Sequence, residues 1–485
     1  MSIYFKKIMS SNLPKNFKLI SGYKEEWETS KKILTQLQKK CTSKKSLEEK
    51  YEILISTIQI FESKHRFNQF NAEDIIMLHT KKCIGLKAAI KSYFQDNEEN
   101  FFANILPFII EQALLLFERA NKKYGEQILP LMVSGKARKE EVPKKLILSI
   151  LSNDFFCNHK DFVSQLSLEQ KEHTHLEEWC NVDWYWLYSF DSSVSINRII
   201  CFLAYFVFAK KSFDTKSNYL ENNVTVERIK FDTDKIKKSL SQCDSLFSEN
   251  DINIHIKSME EPEIETQSIV DFANMDFQTG QIIPSATQEE ILFSTCPETF
   301  IAMFMCQRIY ENEIIVISGA YKLMEYEGYS NSFKFVKLNE NVLENTDNLN
   351  ENILALDATM YDHYLYKNVM QDISKFYSAC DFCQKKHENP GISTGSWGCG
   401  AFGCDRAHKF LQQLICAKSN NVKLSFSTFK KEKYCNSLKE LLKAVIKFKP
   451  KVSDLFNMII KFQGHRNEEF HEYLKEQLGN EFNIE

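Results

Sequence analysis

A glycine-rich segment, residues 394–405 (TGSWGCGAFGCD), carries the strongest chemical signal in this sequence. It holds four of the chain's 14 glycines. Glycine has no Cβ and tolerates unusual backbone angles, so such a loop can bring its N–H groups close to a ligand. Residues 407–417 follow with an amphipathic pattern typical of a helix. Since N–H groups converge where a loop opens a helix and the helix dipole adds positive charge, the segment predicts a ligand that carries phosphate.

Carboxylates form a second candidate site. Gln288, Glu289 and Glu290 begin seventeen residues after Asp271, which lies in the β-prone segment 268–272. Adjacent carboxylates beside a ligand loop can divide their roles, because crowding and partial burial raise the pKa of one towards the working range. Paired glutamates are also common and favourable at a helix start, and that structural reading stays open.

Tyr326 and Tyr329 follow a predicted strand at residues 313–317 in the sequence EYEGY. Aromatic side chains on such a loop can clasp a base or a ribose. Simple packing is the alternative interpretation.

A metal centre has weak support. Cys380, Cys383 and His387 lie close together, but the sequence has no second CxxC or histidine pair to complete a zinc site. We therefore predict ordinary thiols and no metal or cofactor. The sequence also has no Walker loop, no GxGxxG fingerprint and no nucleophile elbow.

The elements that position these residues change in character along the chain. Residues 1–210 show helical periodicity throughout, whereas β-prone segments appear at 252–256, 268–272, 313–317 and 422–426. Strands that alternate with helices, such as 298–307 and 407–417, predict a mixed, largely buried α/β sheet. Helical patterns return from residue 437. We divide the chain into a helical accessory domain (1–210), an α/β domain (211–435) and a C-terminal helical extension (436–485).

Composition limits the classes of function. The apolar stretches 101–117 and 199–209 are too interrupted or too short to span a bilayer, so we predict buried helices. Fourteen cysteines without an apolar N-terminal leader indicate reduced thiols in the cytosol or nucleus. A net charge of −4 gives no general nucleic-acid footprint. The lysine-rich first 50 residues favour a solvated surface, with nuclear targeting or attraction to a polyanion as the alternative.

Taken in order, these motifs resemble the poly(ADP-ribose) glycohydrolase family. The segments are LSNDFFCNHK (151–160), VDFAN (270–274), QEEILF (288–293), GAYKLMEYEGYSNSFKF (319–335), LALDA (354–358) and TGSWGCGAFGCD (394–405). The resemblance runs from about residue 145 to residue 430. It implies an α/β fold, a macrodomain-like mixed α/β/α sheet. An N-terminal all-helical accessory domain would pack against this sheet domain.

The resemblance also implies an activity, the hydrolysis of ribose–ribose O-glycosidic bonds through an oxocarbenium-like transition state. Glu290 would protonate the departing ribose hydroxyl and then deprotonate water. Glu289 and Gln288 would hold the ribose. Asp271 and Asn274 would hydrogen-bond the ribose and brace the catalytic loop. One glutamate would thus serve both proton transfers, unlike the usual pair of carboxylates.

Binding roles follow from the same resemblance. Phe429 would stack on adenine, with Phe426 as the alternative, and either Glu261 or Glu265 would contact the adenine edge. Tyr329 with Tyr326 would clasp the substrate. The diphosphate would be wrapped by backbone N–H groups of Ser396, Trp397, Gly398, Cys399, Gly400, Ala401 and Phe402.

The implied partners are poly(ADP-ribose) on modified proteins and ADP-ribose as product. Direct DNA binding and membrane contact are not expected. The resemblance implies a nuclear or cytoplasmic protein, with a role in the DNA damage response.

The sequence departs from the family pattern at one important loop. Residues 278–280 read QTG where the family has three glycines, and Pro284 follows. Side chains there could block close backbone approach or forbid positive φ. In the second loop Ser396 replaces an asparagine and Cys404 a glycine. Three functions therefore stay open: an active hydrolase, a weakened or inactive ADP-ribose reader, and a helical scaffold that binds no nucleotide.

Overall fold

A computed structural model describes residues 15–63, 83–160, 165–166, 178–345, 350–462, 466–479 and 482. The strands are β1 (Asn16–Lys18), β2 (Ile128–Pro130), β3 (Arg138–Pro143), β4 (Asn223–Lys230), β5 (Ile252–His255), β6 (Ser268–Asp271), β7 (Glu313–Ser318), β8 (Met324–Glu327), β9 (Lys334–Leu338), β10 (Asn352–Ala355), β11 (Gly391–Thr394) and β12 (Lys423–Ser427). Eight of them form one sheet in the order β3-β4-β7-β10-β6-β11-β12-β5.

The helices lie mainly before β3, between the strands and after β12. They are α1 (Lys24–Cys41), α2 (Leu47–Ser63), α3 (Ile84–Phe94), α4 (Glu98–Asn100), α5 (Leu106–Leu114), α6 (Leu116–Tyr124), α7 (Lys144–Phe155), α8 (Trp184–Tyr188), α9 (Ser193–Asp214), α10 (Thr233–Ser241), α11 (Gln288–Thr295), α12 (Ile301–Met305), α13 (Tyr366–Lys386), α14 (Arg406–Ser419), α15 (Glu432–Phe448), α16 (Val452–Lys461) and α17 (Asn467–Leu478). The short stretch Phe101–Ile105 is a π-helix.

The sheet is mixed, as predicted. Strands β10, β6, β11, β12 and β5 run parallel, whereas β3, β4, β7 and β10 pair antiparallel. Every residue of β6, β10 and β11 is buried, so both faces of the central sheet are covered. The four predicted strands are present as β5, β6, β7 and β12. The carboxyl ends of the parallel strands meet at one edge, where ligands bind in open α/β sheets.

The prediction that residues 1–210 are helical throughout was wrong. Strands β1 and β2 pair there, and β3 pairs antiparallel with β4 at the edge of the main sheet. The β3 sequence, RKEEVP, is charged and has no apolar alternation that would mark a strand. An edge strand tolerates such a composition because one side of it is unpaired. The domain boundaries at 210 and 435 stay a prediction.

Helix α9 is the longest apolar element of the described residues. By length and composition its 22 residues could cross a membrane, but 72% of the apolar window is buried inside the protein. Phe202 of this helix stacks on Trp184, with ring centroids 3.9 Å apart. The helix extends well beyond the apolar run 199–209, and it is a core helix as predicted. It also brings Arg198 to the functional site.

The cysteine cluster considered as a zinc site lies in and beside α13. Cys380 and Cys383 are buried, and the Cys383 thiol donates to Ser268 Oγ at 3.2 Å. His387 Nε2 lies 3.2 Å from Asn352 Nδ2. Within the described ranges no group of three or more His, Cys, Asp or Glu side chains could hold a metal ion. All fourteen cysteines are free thiols. The predicted surface loop 339–352 falls partly outside the described residues.

Candidate functional site

A cavity of about 600 Å³ opens at the carboxyl ends of β6, β10, β11 and β12. The loop after each of these strands contributes to its wall, which agrees with the ligand position expected at such a sheet edge. All but one of the predicted site residues line it, namely Asn274, Gln288, Glu289, Glu290, Tyr326, Tyr329, Ser396, Trp397, Gly398, Cys399, Gly400, Ala401, Phe402 and Phe429.

Asp271 is the exception. It is the last residue of β6, it is fully buried, and it lies behind the cavity wall rather than on it. Among the described residues, neither of its carboxyl oxygens has a hydrogen-bond partner. Asp271 is close enough to Glu289 and Glu290 to interact with them electrostatically, but it does not line the cavity.

Glu289 and Glu290 lie in the first turn of α11, and each is only 3% exposed. The Thr287 N–H donates to Glu290 Oε2 at 2.7 Å, and the Thr287 hydroxyl donates to the same oxygen. This capping arrangement satisfies a free N–H of the helix start and fixes the carboxylate. No described residue contacts Glu290 Oε1 by a hydrogen bond, so this oxygen is left for a ligand.

Glu289 is held from the opposite side. The Asn274 N–H donates to Glu289 Oε2 at 3.4 Å, and the backbone of Gln278 lies near the same carboxyl and acts to lower its pKa. Among the described residues, the other oxygen of Glu289 is buried and has no hydrogen-bond partner. The glutamate therefore links the strand end at Asn274, the loop at Gln278 and the helix start.

Burial and neighbouring charges raise the pKa values of two of the three carboxyls, Asp271 and Glu289. Burial, and then the negative charges of Asp271 and Glu290, raise the pKa of Glu289 well above its ordinary value. Burial and the charge of Glu290 likewise raise the pKa of Asp271. Each shift disfavours the charged form, so the cluster retains protons at a pH where isolated carboxyls are ionised. The cluster can thus keep a proton beside the cavity above the pH at which an isolated carboxyl loses it.

Gln288 anchors the start of α11 to the sheet. The Phe272 N–H donates to Gln288 Oε1 at 2.7 Å, and Gln288 Nε2 donates to the Val270 carbonyl at 3.2 Å. Both ends of the amide are thereby used by the backbone around Asp271. Although Gln288 lines the cavity, its position favours bracing of the catalytic turn over direct contact with a ribose.

The second loop, residues 395–403, needs glycine for lack of space as well as for its backbone angles. Gly398 has φ +74°, and a Cβ there would come within 2.7 Å of the Ala358 Cβ. At Gly395 a Cβ would approach the Ser427 carbonyl oxygen to 2.8 Å. Gly400, in contrast, has nothing within 4 Å of its Cβ position. The loop is therefore packed tightly at its base and open at its tip.

Buried charge supports this loop from below. Trp397 is buried, and its indole N–H donates to the Leu356 carbonyl at 2.8 Å. The Lys409 ammonium lies 4.1 Å from the Trp397 ring centroid and forms an ion pair with Asp372, both side chains being buried. Asp372 also accepts from the Thr359 N–H at 2.9 Å. This network fixes the loop base to α13 and α14.

Cys404 and Ser396 are the two departures from the family pattern in and beside this loop. Both side chains form hydrogen bonds with neighbouring residues. The Cys404 thiol lies 2.9 Å from His363 Nδ1, and His363 Nε2 lies 2.8 Å from the Phe402 carbonyl. Because a carbonyl only accepts, Nε2 carries the proton and the thiol donates to Nδ1. The Ser396 hydroxyl donates to Tyr434 Oη at 3.3 Å.

Aromatic side chains form the mouth of the cavity. Tyr329 and Phe429 are 42% and 38% exposed, and their rings meet edge to face with centroids 5.6 Å apart. Phe426, the alternative to Phe429, is buried against Phe410 and does not line the cavity. Exposed rings beside a cavity are suited to stack on a base. The structure thus leaves Phe429 as the aromatic platform.

An acidic residue that the sequence reasoning missed lies beside these rings. Glu260 lines the cavity, and the Tyr326 hydroxyl donates to Glu260 Oε1 at 3.0 Å. Neither Glu261 nor Glu265, the two residues considered for adenine, is on the cavity wall. The three glutamates lie within six residues of one another, so spacing alone could not identify the correct one.

The glycine-poor loop keeps an unusual backbone. Gln278 and Thr279 have φ values of +57°, and Gly280 has +84°. The expectation that side chains there could forbid positive φ was therefore wrong. The Gln278 side chain is fully buried, does not line the cavity and accepts from Arg198 Nη2 at 2.7 Å, and this contact holds the loop in its conformation.

Arg198 is the second residue that the sequence reasoning missed. Its guanidinium also donates to the Ser285 carbonyl at 3.1 Å and to Ser294 Oγ at 3.0 Å. One buried side chain from α9 thereby holds the loop at Gln278, the segment before α11 and α11 itself. A single arginine in an apolar helix belongs to no recognisable sequence motif. The residues that it contacts become known only from the folded structure.

Comparison with known proteins identifies the family and the fold. A model of the poly(ADP-ribose) glycohydrolase helical domain matches residues 93–228, and a model of the macro domain fold of the same family matches residues 236–436. The two matches together cover more than half of the chain. The chain belongs to the poly(ADP-ribose) glycohydrolase family.

Individual relatives agree. A 207-residue region is 30% identical to poly(ADP-ribose) glycohydrolase 1 of Caenorhabditis elegans, covering 39% of this chain and 26% of that protein. Poly(ADP-ribose) glycohydrolase 2 of the same organism is 31% identical over 206 residues, which cover 38% and 41%. A probable poly(ADP-ribose) glycohydrolase 2 of Arabidopsis thaliana is 23% identical over 439 residues, covering 78% and 81%. The match thus spans less than half the length of the two nematode relatives.

The predictions of family and fold class are confirmed. In the poly(ADP-ribose) glycohydrolase family the helical domain precedes the macro domain, and the same order holds here. The catalytic candidates Asp271, Glu289 and Glu290 lie within the macro domain match, whereas Arg198 lies within the helical one. The two matched regions therefore build one site, because the Arg198 guanidinium crosses from one to the other.

Proposed function

We propose that this chain hydrolyses the ribose–ribose O-glycosidic bonds of poly(ADP-ribose) and releases ADP-ribose. The observation that carries the proposal is a cluster of three buried carboxyls at a cavity whose opposite wall is a glycine-rich loop. The cluster supplies a proton donor, and the loop supplies N–H groups for a diphosphate. Family membership supports the same activity.

Glu290 is the proposed acid and base. Its Oε2 is fixed by Thr287, which leaves Oε1 towards the cavity. In the first step the protonated carboxyl transfers its proton to the glycosidic oxygen, the C–O bond breaks, and the bonding pair leaves with that oxygen. In the second step the carboxylate takes a proton from water as the water oxygen bonds to the ribose carbon. The carboxyl is thereby regenerated.

Asp271 and Glu289 serve this chemistry through charge and position. As the pKa values of both are raised by burial and by neighbouring charges, they keep a proton within the cluster while Glu290 cycles. Glu289 lines the cavity and is the proposed ribose contact, together with Asn274. Asp271, which touches no ligand, is a positioning residue.

The adenosine part of the ligand fits the aromatic mouth. Phe429 and Tyr329 are exposed beside the cavity, and Glu260 lies next to Tyr326 on the same wall. We propose that adenine stacks on Phe429 and that Glu260 accepts a hydrogen bond from its amino group. The diphosphate then reaches the N–H groups of residues 396–402.

The alternative, an inactive ADP-ribose reader, rested on the altered loop at residues 278–280. That loop still has three consecutive residues with positive φ, and of the two substituted positions Gln278 is buried off the cavity wall whereas Thr279 lies on it. The structural reason to expect lost activity is therefore weak, and the hydrolase is the proposed function. A location in the nucleus or cytoplasm and the absence of DNA or membrane contact stay predictions.

The decisive experiment compares wild type with Glu290→Gln on automodified polymer. We expect hydrolysis by the wild type and a fall by a factor of about 10²–10⁴ in the variant, since the amide keeps the shape but donates no proton. Calorimetry should show ADP-ribose affinity within about tenfold of wild type. Glu327→Gln, an exposed residue on β8, is the matched control.

Two results would contradict the proposal. A wild-type protein that binds ADP-ribose but never cleaves polymer from about pH 5 to about pH 8 would be a reader. Comparable turnover in Glu290→Gln would place the acid elsewhere.

A further inference from the structure

Two cations on the cavity wall have no part in the chemistry described so far. Arg406 is the first residue of α14, directly after the glycine-rich loop, and Lys431 follows Phe429 by two residues. Both line the cavity. They therefore lie between the aromatic platform and the loop whose N–H groups face the cavity.

Neither cation is neutralised within the described part of the chain. No carboxylate lies within 4.0 Å of Arg406 or Lys431 there, and the Arg406 guanidinium instead lies 5.0 Å from the Tyr434 ring centroid. The adjacent Asp405 is already engaged, because its carboxylate accepts from the His408 N–H at 2.8 Å and lies 2.7 Å from His471 Nε2. The pair thus presents uncompensated positive charge to the cavity.

The two cations also act on each other. Partial burial, and then the positive charge of Arg406, lower the pKa of Lys431. Such mutual repulsion is unfavourable, and an anion placed between the two charges would relieve it. Among anions, a group with two negative charges would be stabilised most by this pair of cations.

The loop in which the family pattern has three glycines gives these charges a role. Residues 278–280 carry side chains at two of those positions, and Thr279 places a β-branched residue on the cavity wall. A backbone donor at these positions is therefore harder for a ligand to approach than it would be with bare glycines. Side-chain cations can replace such a donor, because hydrogen bonds from charged groups to phosphate are stronger than neutral ones.

We propose that Arg406 and Lys431 bind the diphosphate of ADP-ribose and of the polymer, so that this chain recognises phosphate by side-chain charge as well as by backbone N–H groups. The proposal rests on the proposed function, since it concerns the same ligand. Arg406, with its planar guanidinium, is suited to a bidentate contact, and Lys431 adds a mobile point charge at the mouth.

The test measures ADP-ribose affinity by calorimetry at about 0.05 M and about 0.5 M salt, a range over which exposed charges become screened. For Arg406→Gln/Lys431→Gln we expect affinity to fall by about tenfold or more at low salt. We also expect the salt dependence seen in wild type to shrink in the variant. Lys430→Gln, an adjacent exposed lysine off the cavity wall, should stay within about twofold.

Lys431→Gln alone provides a second variant, because an exposed side chain can be changed without a risk to folding. It should show part of the same loss, and its thermal midpoint should equal that of wild type. Unchanged affinity and salt dependence in both variants would overturn the inference while leaving the proposed function in place. A wild type that binds no ADP-ribose would overturn both.

Discussion

Two loops contribute to the cavity wall, and both contain residues with positive φ, which they hold by different means. Residues 278–280 hold three positive φ values with two side chains present, whereas residues 395–403 place glycine at both of their positive-φ positions, 398 and 403. In the first loop the conformation is held by a buried hydrogen bond from Arg198 to Gln278. In the second loop Gly398 is required because a Cβ would collide with Ala358. Tertiary contacts can thus impose positive φ on residues that have side chains. They cannot provide the space that a Cβ would need at Gly398.

Removal of Arg198 should have the largest effect on this comparison. Arg198→Met leaves Gln278 Oε1 and the carbonyls of Ile283 and Ser285 without their donor. We expect the free energy of unfolding to fall by about 3–4 kcal/mol, as measured by urea denaturation. Arg466→Met, which removes an exposed ion pair with Glu469, should change it by less than about 0.5 kcal/mol. Full stability in Arg198→Met would show that the first loop holds its shape without help.

The second loop is tested by a pair of glycine substitutions. Gly398→Val should reduce the free energy of unfolding by about 2–3 kcal/mol and abolish stabilisation by ADP-ribose, because it combines positive φ with a Cβ 2.7 Å from Ala358. Gly400→Val should fold with wild-type stability, since its Cβ meets nothing within 4 Å, yet it should weaken ADP-ribose binding. Thermal unfolding with and without ADP-ribose measures both effects. Equal stability of the two variants would refute the argument from space.

The pH dependence of stability separates the loops further, because only the first one contacts the carboxyl cluster. Asp271 has a raised pKa in the folded protein, so between its unfolded value near 4 and its folded value the unfolded state binds fewer protons. Its contribution to stability therefore falls as pH rises, by up to about 1.4 kcal/mol per pH unit.

Asp271→Asn should remove this slope. The free energy of unfolding of the variant, relative to wild type, should rise as pH increases from about 4 to about 7. Asp244→Asn, at an exposed site, is the control. A difference that stays flat with pH would mean that Asp271 is not protonated in the folded protein.

The smallest effects are expected inside the first loop. Thr279→Gly relieves positive φ at a β-branched residue and should stabilise the protein by up to about 0.5 kcal/mol. Gln278→Gly relieves the same strain but leaves Arg198 short of an acceptor, so it should destabilise by about 1 kcal/mol. Chemical denaturation gives the sign. In the double variant polymer hydrolysis should rise only modestly, because the wild-type backbone already has the required shape.

Several parts of the fold followed from local pattern. Strands β6 and β7 were predicted from short apolar, β-branched runs, and β5 and β12 from alternating apolar and polar residues. Strand β3 was missed because its charged sequence suits a sheet edge, and β8 and β9 were missed because they form a separate exposed pair. Such strands form because they pair with residues far away in the sequence, and a local hydrophobic pattern does not reveal this pairing.

The sequence by itself determined the candidate motifs of the site. VDFAN, QEE and the glycine-rich segment could be recognised because each motif is local and lies at a strand end or a helix start. Only the tertiary structure decided that Asp271 lies behind the cavity, that Glu260 rather than Glu261 or Glu265 reaches it, and that Phe429 rather than Phe426 faces it. The same holds for Arg198 and for the pair Arg406 and Lys431. Their contacts join segments far apart in the chain, and a side chain's burial and neighbours exist only once the chain has folded.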